Sequence, residues 1–197
     1  LLQQNLDKLD NNFADILRTV KFSGVEVDVA EYITISIGNF SNYIKEFPLG
    51  SKANNIEISI AGYEVMLKVF TDKSHRELWA MTQNNLGVAY FYRIRGDKTQ
   101  NIEAAIAAYQ QALLVHTQTD FPMNWAGTQN NLGNAYIYRI RGDKAQNIEA
   151  AIAACQQALL VHTQKDFPIE WAGTQNNLGN AYNNRIRGDK AQNIEAA

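Results

Sequence analysis

The chain has 197 residues, 46% hydrophobic and 19% charged, too apolar for a disordered tail and long enough to bury a core as one domain or one repeat array. Eighteen Lys and Arg against 20 Asp and Glu leave a net charge of −2, without the broad positive field that nucleic-acid binding draws on. A single cysteine excludes an intrachain disulfide framework and a multi-cysteine zinc site. No apolar run has the length of a membrane span and no signal peptide is visible, so a soluble, cytoplasmic protein without nucleic-acid or membrane partners is predicted. The chain opens at Leu1 with no methionine and stops at Ala197 within an alanine-rich stretch, which reads as a fragment of something longer.

In chain order, a helix is expected from Leu2 to about Phe22, followed by a connector at Ser23-Gly24. Beyond it the chain repeats itself. Trp79, Trp125 and Trp171 are 46 residues apart, as are Gly87, Gly133 and Gly179. Residues 79–124 and 125–170 differ only at positions 81, 88, 91, 99, 109, 119, 123 and 124, and 171–197 departs from 125–151 only where Ile137 and Tyr138 become Asn183 and Asn184. A diverged copy precedes these: Gly50 falls on Gly96, Lys52 on Lys98, Asn55-Ile56-Glu57 on Asn101-Ile102-Glu103, and Tyr63 on Tyr109. The predicted organisation is an N-terminal helical cap over 1–32, a degenerate unit over 33–78, full units over 79–124 and 125–170, and a truncated unit over 171–197.

Each unit is predicted to be two helices. Trp125, Leu132, Ala135 or Tyr136, and Ile140 recur at helical spacing until Gly142-Asp143 supplies turn chemistry, which defines helix A. Ile148, Ile152, Cys155, Leu159 and Leu160 continue that spacing until Asp166-Phe167-Pro168, which defines helix B. Asp143 with Gln146 fits a capping box, although Asn147 is an alternative helix start. Arg139 and Arg141 at the end of helix A, and His162 near the end of helix B, complement the negative helix ends.

The segment Leu132-Gly133-x-x-Tyr136, followed by Ala151-x-x-x-Cys155-x-x-Ala158-Leu159, resembles the tetratricopeptide repeat, with a unit twelve residues longer than that family's 34. The strings Trp-Ala-x-Thr-Gln-Asn-Asn-Leu-Gly-x-Ala-Tyr and Arg-Ile-Arg-Gly-Asp are similar to bacterial long-repeat proteins often joined to a CHAT domain, a caspase-like protease fold. The resemblance implies an all-α, right-handed superhelical solenoid of antiparallel helix pairs. Its concave surface, lined by helix A, would take a peptide or a partner helix.

Carried over by register from Gly133, that surface comprises Met81, Asn84, Val88, Phe91 and Tyr92 in the first full unit. Gly127, Asn130, Asn134, Ile137 and Tyr138 follow in the second, and Gly173, Asn176, Asn180, Asn183 and Asn184 in the truncated one. Differences 81, 88, 91, 183 and 184 all fall on it, while the residues between are copied. The alternative is a stripe that is merely exposed and free to drift. The doublets Asn84-Asn85, Asn130-Asn131 and Asn176-Asn177 either grip a bound main chain, to which an amide offers both donor and acceptor, or bond to the adjacent repeat.

Arg93, Arg95, Arg139, Arg141, Arg185 and Arg187, with Lys98, Lys144 and Lys190, form a basic edge suited to an acidic peptide or phosphate, or else neutralise helix ends and pair with Asp97, Asp143, Asp189 and nearby glutamates. Cys155 replaces Tyr109 at a packing position and is expected to be a buried, inert thiol. His116 and His162 fall one helix-packing distance apart, about 8 to 10 Å, too far to share zinc readily. No catalytic, cofactor or metal motif is specified, so this fragment is read as a non-enzymatic recognition or sensor arm. The competing functions are a spacer that self-associates through the exposed repeat end, and the regulatory part of a CHAT protease.

Overall fold

The structure, a computed structural model, describes residues 2–185 and 190–196. Among these it is all-helical, without a strand: α1 (Asn11–Arg18), α2 (Val27–Glu46), α3 (Lys52–Val69), α4 (Arg76–Phe91), α5 (Lys98–Ala112), α6 (Pro122–Ile137), α7 (Lys144–Leu159), α8 (Pro168–Asn183) and α9 (Lys190–Glu195). The chain divides into two compact units, Leu1–Asn101 and Ile102–Ala197, and within each, neighbouring helices pack in sequence order. No helix among the described residues is long and apolar enough to cross a membrane.

The N-terminal expectation of one long helix is corrected. Short 3-10 turns occupy Leu2–Gln4 and Leu6–Lys8, and α1 begins only after Asp10, whose carboxylate accepts the Phe13 N–H at 3.0 Å. A side-chain acceptor at Asp10 offers the backbone a local cap in place of a continued helix. The cap explains the start of α1, and Gly24, at φ +78°, makes the expected turn before α2.

The first unit folds around Leu9, Ala14, Leu17, Ile44, Phe47, Ile58 and Ala61, contributed by α1, α2 and α3 and by the residues just before α1 and just after α2. The inner helix is α3, with ten buried residues. Lys68 donates to the Arg18 carbonyl and Asn54 to the Leu9 carbonyl, fastening α1 to α3. A second cluster of Ile56, Ile60, Tyr63, Leu86 and Ala89 joins α3 to α4. The second unit repeats this logic: Ile137, Ile148, Ala151, Ile152, Cys155, Leu178 and Ala181 join α6, α7 and α8.

Small residues set the helix spacing. A Cβ built on Gly133 of α6 would lie 2.7 Å from the Cys155 sulfur and 3.1 Å from the Ala151 carbonyl of α7, so only glycine lets these helices approach. At the other end of the pair, Gly142 has φ +81°, as Gly50 and Gly96 have +78°, the left-handed conformation that turns helix A into helix B.

The junctions recur in chemistry as well as shape. Asp97 and Asp143 accept the Gln100 and Gln146 N–H groups at 2.8 Å, which makes Asp143, not Asn147, the cap of α7. Asn101 and Asn147 instead donate to the Arg95 and Arg141 carbonyls at 2.8 Å. Lys52, Lys98 and Lys144 reach back seven residues to the carbonyls of Lys45, Phe91 and Ile137, neutralising orphan acceptors at the end of helix A.

Helix B stops earlier than its apolar pattern suggests. After α7 ends at Leu159, the Thr163 hydroxyl accepts the Asp166 N–H at 3.1 Å, and Thr71 and Thr117 do the same for Ser74 and Asp120. Pro122 and Pro168 then open α6 and α8 at their first turns, where a missing N–H costs nothing. Helix A therefore begins three residues before its tryptophan, and cuts at 33, 79, 125 and 171 fall inside α2, α4, α6 and α8.

Candidate partner-binding surface

Helices α4, α6 and α8 carry the predicted stripe. In the first unit Met81 is 41% and Tyr92 60% exposed, with Asn84 and Val88 half-buried between them. In the second unit Tyr138 is 51% exposed, Asn130, Asn134 and Asn180 are half-buried, and Asn176, Asn183 and Asn184 are exposed. Gly127 and Gly173 leave open space beside them.

Two members of the stripe are turned inward. Ile137 is 4% exposed and packs with Ile148 and Leu178, and Phe91 is 9% exposed beneath the Lys98 ammonium, 5.3 Å from its ring centroid. Successive helical residues point about 100° apart. One stripe therefore cannot hold both members of Phe91-Tyr92 or Ile137-Tyr138, and in each pair the tyrosine is the one left outside.

The asparagine doublets make contacts between successive A helices. Asn177 donates to the Asn130 oxygen at 2.9 Å in the second unit, so Asn130 is partly committed to its neighbour while the Asn134 and Asn176 amides bond to no other described residue. In the first unit Gly38 stands in the register of Asn84 and Asn130 and offers no amide. Asn85 reaches instead to Asn42 at 3.1 Å, whose oxygen also accepts the Tyr63 hydroxyl at 2.7 Å. The Met66 side chain fills the place of a Gly38 Cβ, and beside it lies a cavity of about 80 Å³ bordered by Asn39, Asn42, Met66, Met81 and Asn85. The register comparison, in which Gly38-Asn39 replaces the asparagine doublet, is the sequence signal for this local difference.

The basic edge is largely spoken for. Arg93, Arg139 and Arg185 each grip Glu57, Glu103 and Glu149 with two bonds between 2.7 and 3.0 Å. Each guanidinium also lies 5.8 to 5.9 Å from the ring centroid of Tyr90, Tyr136 or Tyr182. The partners are helix-B glutamates of the preceding repeat rather than Asp97 or Asp143, whose carboxylates are occupied as helix caps. Salt bonding to Arg139 holds the Glu103 carboxyl below its ordinary range, and its Glu103 bond raises the Arg139 guanidinium. Arg95 bonds to Asn54 at 2.6 Å and to Asn11, while Arg141 is exposed beside Glu103. Arg187 lies outside the described residues.

The remaining reactive groups are built into packing. Cys155 is fully buried and its thiol is pushed up to about 12 by burial. His116 and His162 are buried beneath the following helix, with Nδ1 at 3.1 Å and 2.9 Å from the Thr128 and Thr174 hydroxyls. Burial lowers the pKa of both. Each threonine hydroxyl donates to a helix carbonyl, Asn124 or Glu170. Among the described residues no group of three or more His, Cys, Asp or Glu side chains is placed to hold a metal ion.

Comparison with protein-family models, with curated proteins and with solved structures finds no match to this chain in any of the three.

Proposed function

We propose that the chain is a protein-recognition module of tetratricopeptide type, a right-handed solenoid that binds a peptide or a partner helix along its A helices and performs no chemistry itself. The carrying observation is the exposure of the last turn of helix A: Tyr92 and Tyr138 are the large side chains most open to solvent on their stripes, at 60% and 51%. Exposed apolar groups flanked by amides suit recognition, because the rings supply contact area while Asn134, Asn176 and Asn180 supply donors and acceptors for a bound main chain. The internal differences support the same reading, since Met81 becomes Gly127 and Tyr138 becomes Asn184 while the buried Thr128, Leu132, Gly133 and Ala135 are identical in all three copies; among the buried positions between them only the one held by Phe91, Ile137 and Asn183 differs. In a longer protein of the CHAT-associated kind, such a module would serve as the sensor arm.

The test is affinity capture with mass spectrometry, comparing the native chain with a variant carrying Met81→Ala, Tyr92→Ala, Asn134→Ala and Tyr138→Ala. A partner retained by the native chain and lost by the variant supports the reading. Equal capture by both overturns it.

A further inference from the structure

On the first unit, Phe13 and Leu17 of α1 and Tyr32, Ile33, Ser36 and Phe40 of α2 border an open apolar trough of about 350 Å³. Tyr32 is 73% exposed, and Val29, next along the same face, is 46% exposed. Register shows what this face resembles. Ile33, Ser36 and Phe40 stand where α4 has Trp79, Thr82 and Leu86 and where α8 has Trp171, Thr174 and Leu178. In those helices the face is covered by the helix B before it. Leu86 packs on Ile56, Ile60 and Tyr63 of α3, and Leu178 on Ile148, Ile152 and Cys155 of α7. Thr82 and Thr174 are 2% and 0% exposed as a result, whereas Ser36 is exposed. The helix preceding α2 is α1, which has eight residues against 18 in α3 and 16 in α7, so it covers only part of the face.

We infer that this trough docks one amphipathic helix from a partner protein, with a face of small and aliphatic residues like that of helix B and with Lys or Arg on its flanks. The shape follows from the register, because the same positions receive such a face twice elsewhere in the chain. The charge follows from the surroundings of α2. Glu26 and Asp28 are exposed at its start against the single exposed Lys21 of the connector, no basic residue occurs on α2 before Lys45, and Arg18 of α1 is already paired with Asp15 and Glu64. In a second copy the helix-B faces of α3 and α7 are already covered by α4 and α8, which disfavours that occupant. The site is separate from the helix-A stripe, and the two proposals stand or fall independently.

The probe is a fluorescein-labelled peptide of residues 144–165 of this chain, kept reduced, whose central part is the helix that covers α8. Two further versions replace Ala153 and Gln157, exposed in α7, with Lys or with Glu. Anisotropy titrations should show saturable binding to the native chain, tighter for the lysine version than for the glutamate version. Binding should weaken by about ten-fold or more with Ser36→Arg and with Tyr32→Glu, both at exposed positions whose variants should retain native helicity by circular dichroism, and should be unchanged by Tyr138→Ala. No saturation at millimolar peptide, equal binding by the Ser36→Arg and Tyr32→Glu proteins, or no preference between the charged versions overturns the proposal. Self-association of the native chain that Ser36→Arg abolishes in sedimentation assigns the trough to a second copy and also overturns it.

Discussion

The Arg–Glu pairs offer three copies of one interaction at graded burial. The carboxylate side chain is 6% exposed in Glu57, 23% in Glu103 and 30% in Glu149. Removing a cation from a buried carboxylate leaves an uncompensated charge, while an exposed pair contributes little. Arg93→Ala should therefore be the most damaging, by about 2 kcal/mol or more, moderated because Arg18 lies 3.8 Å from Glu57. Arg139→Ala should cost about 1 kcal/mol, and Arg185→Ala the least. Urea denaturation of the three variants checks the order; equal losses would mean that burial does not set the strength of the pair. The histidines give a pH prediction. His116 and His162 have folded pKa values lowered by burial, opposed for His162 by Glu170. The unfolded chain then takes up protons first, so the stabilisation they provide is complete above about pH 6.5 and is lost as pH falls through the lower folded values. Replacing both with Gln should flatten the stability curve below pH 6.5, measured by thermal unfolding across pH.

At the scale of helices, two glycines in α6 should respond to alanine with opposite sign. Gly127 has open space where a Cβ would go, so Gly127→Ala should stabilise by about 0.5 to 1 kcal/mol through helix propensity and a less flexible unfolded chain. Gly133→Ala places the new methyl against Cys155 and the Ala151 carbonyl and should cost about 1 to 3 kcal/mol. Melting temperatures moving the same way for both would contradict the close packing of α6 on α7. Much at this scale was legible from the sequence: the paired helices, the Asp143 cap, the Gly142 turn and the buried Cys155 all follow from period and local chemistry. Other features depend on tertiary neighbours. Whether Phe91 or Tyr92 faces outward depends on which side of α4 its neighbours cover, and the choice of Glu103 over Asp143 for Arg139 depends on which helix lies opposite. The early end of helix B was missed because the Thr163 hydroxyl, not the following proline, turns the chain. The break before α1 was missed because the apolar spacing of 2–22 continues across the Asp10 cap.

Across the whole molecule, burial is uneven, and hydrogen exchange should report it. Helix α3 has ten buried residues among 18, whereas α9 spans six residues and Ile194 is 56% exposed. Backbone amides in α3 should be the slowest to exchange in the first unit, and those of α9 the fastest helical amides in the second, because opening free energy follows the contacts that must be broken. Protection of α9 as long-lived as that of α7 would contradict this. The candidate stripe was only partly visible beforehand, since exposure at Tyr92 and Tyr138 depends on burial of their neighbours. The wiring between repeats carries a further implication. Each Arg–Glu pair spans 36 residues, each lysine reaches back seven, and Asn101 and Asn147 reach back six. Duplicating or deleting a whole 46-residue block would return every one of these groups to an equivalent partner. Copy number can therefore vary in the gene without any compensating change, whereas one residue added or removed between positions 95 and 98 shifts the lysine and asparagine bonds, and one between Glu57 and Arg93 or between Glu103 and Arg139 shifts the Arg–Glu pair.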